Sequence, residues 1–323
     1  MAPNKTIAGF VSISLFAVGC ASRPDAPAPR APAQDAATPA QPAWAAAARF
    51  SDGLCNGAHA DASVVLPLYA KACNANDGEA CWKLGARYLC GAGVVKNTSV
   101  GASLIEKGCT LGDGASCELL GALTLDGNGV PRDTRRGHAL LERACTLGAG
   151  ERCGVAGMAL LATGEKSEMT RGIALVEKAC NAGGADHCAN LGAIYEKGLG
   201  TPVDQARAAA LATKACEMKS ASGCSNLGAM YLSGYGPIPK DETSAARLFT
   251  IACDADNGLA CGGLAQCYWS GIGVKEDKAK AVELLQKGCE RGVGQVCRAL
   301  ADVAGMGGTS GAPPVTSLSP DRA

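Results

Sequence analysis

The chain has 323 residues, with 30 Lys plus Arg balanced by 30 Asp plus Glu, 47% hydrophobic and 4% aromatic residues, 43 Gly and 18 Cys. A net charge of zero with no basic run leaves out the phosphate-neutralising surface that nucleic-acid binding needs, and so large a hydrophobic fraction is incompatible with a wholly disordered chain. No apolar run reaches the roughly 18 residues of a spanning helix, and the length exceeds what one core usually serves, which leaves several domains or an elongated repeat array.

Residues 1–19 place Lys5 ahead of an apolar stretch from Ile7 to Val18, the pattern of a short export signal. The closing Ala17-Val18-Gly19-Cys20 run resembles a bacterial lipobox, although Ala17 stands where Leu is commonest. The resemblance implies lipid attachment at Cys20, and Ala21 in place of Asp implies sorting to the outer membrane, so that the protein is expected in the envelope as a periplasm-facing lipoprotein. An ordinary signal peptide cut near Ala21 or Ala26 is the alternative. Residues 20–49 follow, with Pro24, Pro27, Pro29, Pro32, Pro39 and Pro42 among many alanines. They read as an extended tether that reaches up to roughly 90 Å at about 3.1 Å per residue.

From 50 to 305 the sequence repeats. Fourteen cysteines fall in seven pairs with members eight positions apart: Cys73 and Cys81, Cys109 and Cys117, Cys145 and Cys153, Cys180 and Cys188, Cys216 and Cys224, Cys253 and Cys261, Cys289 and Cys297. Successive pairs begin 36, 36, 35, 36, 37 and 36 residues apart. Before each first Cys from Cys109 onward comes a helical pattern with Leu five back, as in Leu104 and Leu248, and small residues eight back and one back. After the second Cys comes another, with Leu three on (Ala156 in the third unit), Gly four on in Gly85, Gly121, Gly157, Gly192 and Gly228, and Tyr seven on in Tyr88, Tyr195, Tyr231 and Tyr268. A Gly-x-Gly turn, such as Gly91 and Gly93, joins the two; the third unit retains only Gly164 and is one residue short, which predicts a tighter loop. The unit is thus helix A, loop, helix B. A lone B helix over Ala62 to Cys73 precedes six hairpins from about Gly78 to Cys289, and a lone A helix closes the array over about Gly294 to Val303. Residues 306–323, rich in Gly, Ser and Pro without periodicity, read as a disordered tail.

The Leu191 to Gly200 run, followed by a small residue, Leu and Ala-Cys in helix B, resembles the Sel1-like repeat, a relative of the tetratricopeptide repeat. The cysteine spacing is similar to the branch that holds the Helicobacter cysteine-rich proteins and a mitochondrial oxidase-assembly factor. The resemblance implies an all-α fold, a right-handed α/α solenoid in which each of the seven Cys pairs is a disulfide. A zinc site is the alternative, but its ligands usually lie two to four residues apart, and an exported chain favours disulfides. Cys55 and Cys90 are candidates to pair with each other, and Cys267 reads as a buried small hydrophobe in helix A.

Relatives classed as β-lactamases make hydrolysis the competing function. No Ser-x-x-Lys, Ser-Asp-Asn or Lys-Thr-Gly occurs, and a metallo-type site needs clustered histidines, whereas His59, His138 and His187 are scattered over different units. Asp241-Glu242 and Glu276-Asp277 precede B helices and read as caps. A haem role, the third reading, lacks Cys-x-x-Cys-His. The sequence therefore points to no cofactor, no metal and unknown catalytic residues. It favours a tethered scaffold for an envelope protein, a peptide or a peptidoglycan fragment, with Trp82, Arg87, Asn190, Glu196, Asn226 and Trp269 of the A helices as candidate ligand-groove residues.

Overall fold

The computed structural model describes residues 62–148 and 150–306; the expected signal segment, Cys20, the tether, Cys55, His59 and the tail from 307 lie outside the described residues. The described residues form helices and no strand. In chain order they are α1 (Ala62–Asn74), α2 (Gly78–Cys90), α3 (Thr98–Thr110), α4 (Gly114–Asp126), α5 (Thr134–Leu147), α6 (Arg152–Leu161) and α7 (Lys166–Asn181). Then follow α8 (Ala185–Lys197), α9 (Gln205–Glu217), α10 (Ala221–Ser233), α11 (Glu242–Asp254), α12 (Gly258–Ser270), α13 (Lys278–Glu290) and α14 (Gly294–Met306). Even-numbered helices are the A helices and odd-numbered ones the B helices. The chain divides into two compact units at Leu211 and Ala212, inside α9. Each has α/α-solenoid architecture: an A helix packs most extensively on the B helix after it, and A helices also touch the next A helix, α2 on α4 and α4 on α6 in the first unit, α10 on α12 and α12 on α14 in the second.

The first three hairpins are each built on a close backbone crossing. A Cβ added to Gly85 would lie 2.8 Å from the Gly101 carbonyl oxygen, and one added to Gly101 would lie 2.8 Å from that of Gly85. The helices meet backbone to backbone there, and large side chains fill the space on either side: Ile105 beneath the first crossing and Phe249 in the second unit are both fully buried.

Caps fix the helix ends. Asp77, Asp113, Ser220 and Asn257 each accept a side-chain hydrogen bond from the amide three residues on at the start of an A helix. Asn97, Asp133, Asp241 and Asp277 do so for B helices. The acidic residues of the Asp241-Glu242 and Glu276-Asp277 pairs thus divide their work: Asp241 and Asp277 cap, while Glu242 and Glu276 pair with Lys240 and Lys278. The A helices α2, α4, α8, α10 and α12 end on left-handed glycines such as Gly91, φ 77°, whose amide donates to the Arg87 carbonyl, whereas α6 ends on Ala162 in the right-handed region. The second glycine of the loop serves a close approach as well, because a Cβ on Gly129 would lie 2.6 Å from the Thr98 carbonyl oxygen at the start of the preceding B helix. The loop is then pinned by the N-cap amide: Asn97 donates to the Tyr88 carbonyl at 2.9 Å and Asp277 to that of Tyr268 at 2.8 Å. In the third hairpin α6 stops at Leu161 and four residues lead to α7, the tighter loop that the missing residue predicts.

All seven eight-residue pairs are disulfides, with Cα–Cα distances between 4.3 and 4.6 Å. The first Cys ends a B helix and the second lies in the first turn of the next A helix, so each bond staples a turn that links consecutive hairpins. In the chain-entropy account a nine-residue loop closed this way contributes about 2.6 kcal/mol. Three of these turns pass through left-handed Gly112, Gly183 and Gly292, but three others place Asn76, Lys219 and Asp256 there with φ of 67°, 66° and 64°.

Candidate functional site

The repeat skeleton is mostly occupied by packing: most paired cysteines, the small crossing residues and the A-helix leucines such as Leu120 and Leu191 are buried, while B-helix leucines such as Leu104 are half-buried. What differs between hairpins is carried by the A helices. Trp82 and Arg87 are half-buried on α2, with the Arg87 guanidinium 5.9 Å from the centre of the Tyr69 ring. Asn190 and Glu196 are half-buried on α8. Burial raises the Glu196 carboxyl above its ordinary range, against the opposing pull of Lys197. Trp269 on α12 lies under the Lys278 ammonium, 5.6 Å from the ring centre. Asn226 is 6% exposed and packs inside its unit, so it offers no surface to a partner. Those on α2 and α8 stay apart, because α4 and α6 intervene between these helices in the stack.

A further A-helix register emerges from the packing. The residue before the second Cys of one hairpin lies against the residue after the second Cys of the hairpin before it. Arg152 meets Glu118, Nε to Oε2 3.5 Å. His187 fills the space above Gly154, where an added Cβ would run into the ring, and Val296 does the same over Gly262 at 2.8 Å. Large opposes small, and cation opposes anion. Within this seam the Arg152 Nε and the His187 Nδ1 are buried without a hydrogen-bond partner. Desolvation raises the Glu118 carboxyl despite Arg152, and desolvation lowers the His187 imidazole despite Asp186 and Glu151. His138 lies on α5, a B helix, and is likewise lowered by burial. Sequence reading placed Trp82 and Asn190 on these helices but missed Glu118 and Arg152, whose relation appears only once A helices are stacked.

Cations of the B helices also bridge repeats. Arg136 pairs with Glu106 and Arg171 with Glu142, each across consecutive B helices. Lys107 donates from Nζ to the carbonyl of Cys73 at 2.8 Å, a positive charge at the C-terminus of the preceding B helix. Among the described residues no group of His, Cys, Asp and Glu is arranged to hold a metal, and no helix is long and apolar enough to cross a membrane. Cys90 is disulfide-bonded, and Cys267 is a fully buried thiol.

Comparison with known proteins adds a family. The Sel1 repeat matches residues 78–113, 114–148, 186–220, 221–257 and 258–293, more than half of the chain. The unmatched third unit is the one with the short loop and Ala156 in place of Leu. A protective antigen of uropathogenic Escherichia coli, described as displaying an SLR fold, is 24% identical over 80% of this chain with a TM-score of 0.64, and this chain covers 56% of that protein's length. A Sel1 repeat protein from Oxalobacter formigenes is 18% identical over 76% of this chain and 93% of its own, with a TM-score of 0.57. Helicobacter pylori cysteine-rich protein B is 27% identical over 42% of this chain and 96% of its own, with a TM-score of 0.35. No curated protein matches. Sel1 repeats are, as a family, modules of protein–protein interaction, and seven disulfides place the folded chain outside the reducing cytoplasm. Its repeats, hairpins and staples agree: the chain belongs to the Sel1 repeat family.

Proposed function

We propose that this protein is an envelope scaffold or adaptor, held to the outer membrane by lipid at Cys20 and a proline-rich tether, which binds a segment of a partner protein on its A-helix faces. The observation that carries the reading is the division of labour between positions. Residues that recur from hairpin to hairpin are spent on packing, whereas half-buried residues of varied chemistry, Trp82 and Arg87 on α2 and Asn190 on α8, remain partly open on A helices. Stacked hairpins offer such residues in rows, as repeat proteins use them.

The binding claim is tested in cells by a photo-crosslinking side chain placed singly at Asn190 or Trp269, and as a control at Ser103 or Ile251 on B helices. Adducts to a defined envelope protein are expected from the A-helix positions; adducts from the B-helix positions alone would refute the assignment. The anchor has its own test. Cys20→Ala is expected to move the protein from the detergent phase to the aqueous phase, since lipid supplies the membrane affinity. Unchanged partition would remove the lipoprotein claim and leave the scaffold claim standing.

A further inference from the structure

The chain as a whole is neutral, but the charges of its first unit are divided between two sides. The A helices α4, α6 and α8, with the α6 N-cap residue Glu151, carry five acidic and two basic residues. The B helices α3, α5 and α7 carry seven basic and four acidic ones. The acids are also used differently. On the B side Glu106 pairs with Arg136, and Glu142 and Glu168 both pair with Arg171. On the A side Glu118 meets Arg152, whereas exposed Asp126 and Glu151 form no ion pair among the described residues. Burial holds the Glu118, Asp126 and Glu196 carboxyls above their ordinary range, against the pull of Arg152, Arg132 and Lys197. Carboxylates hydrated so poorly gain from a cation brought to them.

Between these charges the same helices offer apolar side chains. Residues two and five after the second Cys lie three apart, on one helical face: Leu119 and Ala122 on α4, Val155 and Met158 on α6, Asn190 and Ala193 on α8. Leu119 and Val155 rest on buried clusters but stay half-open, and Met158 and Ala193 are half-buried too. The three helices are equivalent members of the stack, α4 on α6 and α6 against His187 of α8, so their N-terminal ends share one edge of this face and their C-terminal ends the other. Glu151 and Asp186 stand at the first edge, Asp126 and Glu196 at the second. The result is an apolar floor with acids along both edges.

The spacing of the floor matches one backbone conformation. Packed helices lie about 8–10 Å apart, and a polyproline-II chain turns once in three residues, about 9.3 Å. A chain in that conformation, laid across the stack, presents every third side chain to successive A helices, while the two between them point toward the edges. Asn190, which stands where α4 and α6 carry Leu119 and Val155, adds a donor and an acceptor for the unpaired backbone of such a chain.

We propose that the face made by α4, α6 and α8 binds an extended basic segment of a partner protein, with an apolar residue at every third position on the floor of Leu119, Val155, Met158 and Ala193 and with Lys or Arg between them against the acidic edges. This rests on the scaffold reading and narrows it to one partner chemistry. The basic B side of the same unit disfavours such a segment, so charge selects the face as well as the partner.

Fluorescence anisotropy of labelled nonapeptides added to the full chain tests this. The probes are a triple repeat of Leu-Lys-Pro, a triple repeat of Leu-Glu-Pro, and a scrambled peptide of the first composition. The Lys peptide is expected to bind at least about tenfold more tightly than the other two. Asp126→Lys with Glu151→Lys is expected to reverse the preference, weakening the Lys peptide and strengthening the Glu peptide, which a damaged fold would not do. Met158→Gln is expected to weaken the Lys peptide about fivefold through lost apolar contact. Arg135→Glu with Arg143→Glu, on the B side, is expected to leave the order of affinities unchanged. Equal affinity for the Lys and Glu peptides, no binding of the Lys peptide at about 1 mM, or a preference that follows the B-side pair would overturn the inference. A crosslink from Asn190 to an acidic segment of a partner would overturn it too, while leaving the scaffold reading in place.

Discussion

At single residues the stapled turns set the sharpest demands. Lys219 is exposed and holds φ 66° at the position where Gly112, Gly183 and Gly292 stand in other turns. A left-handed Lys costs about 1–2 kcal/mol, part of which glycine gives back as unfolded-state entropy. Lys219→Gly is therefore expected to stabilise the protein by about 0.5 kcal/mol in urea unfolding. Two buried serines divide in sign. Ser220 caps α10, so Ser220→Ala is expected to cost about 1 kcal/mol. Ser116 is fully buried with no hydrogen-bond partner for Oγ, so Ser116→Ala is expected to be neutral or stabilising by up to about 1 kcal/mol. His187 gives a pH signature. Its folded-state value lies below the ordinary 6.5 because burial disfavours the imidazolium. The unfolded chain then takes up a proton first as pH falls. Stability is full above pH 6.5 and declines from there toward the lowered folded-state value. A melting-temperature series across this range is expected to flatten in His187→Gln; an unchanged slope would assign the loss to other groups.

Between elements the decisive feature is how closely two helices cross. A Cβ on Gly157 would lie 2.5 Å from the Gly172 carbonyl oxygen, while one on Gly228 finds its nearest neighbour, the Phe249 ring, at 3.1 Å. Gly157→Ala is expected to cost about 1–3 kcal/mol through overpacking. Gly228→Ala is expected to come close to neutral, because the helix preference for alanine, about 1 kcal/mol, offsets the tighter contact. Denaturant midpoints of the two variants decide it. The glycines of these crossings were legible in the sequence, because cysteine spacing fixes their phase, but which glycine meets which appears only in the packing. Left-handed Lys219 was not legible, since Lys seldom takes that conformation. The Glu118–Arg152 pair and the Glu106–Arg136 ladder also escaped, because partners 34 and 30 residues apart become neighbours through the stacking of repeats rather than through any local pattern. Asn226 was misplaced for a related reason: helix periodicity assigns a face, but the neighbours on both sides decide whether that face is open.

For the whole molecule, the scaffold reading and a hydrolase reading predict opposite outcomes with β-lactams. Acylation of a β-lactam needs a nucleophile held against a base, with donors aimed at the oxyanion, and the chain has no Ser-x-x-Lys to begin one. Purified protein is expected to form no stable penicillin adduct by intact mass and to show no more than feeble cephalosporin hydrolysis; robust turnover abolished by one substitution would name a centre and displace the scaffold reading. The frame is a set of local staples coupled through neighbouring hairpins, in which the loss of one staple should remain near its origin. The most direct measurement is amide exchange on full-length protein carrying Cys180→Ala and Cys188→Ala. The predicted result is a loss of about 2–5 kcal/mol of protection in α7 and α8, smaller losses in α6, and none in α12 and α13. A uniform loss across all helices would contradict it, because a single cooperative core would then hold the molecule together instead of a series of stapled repeats.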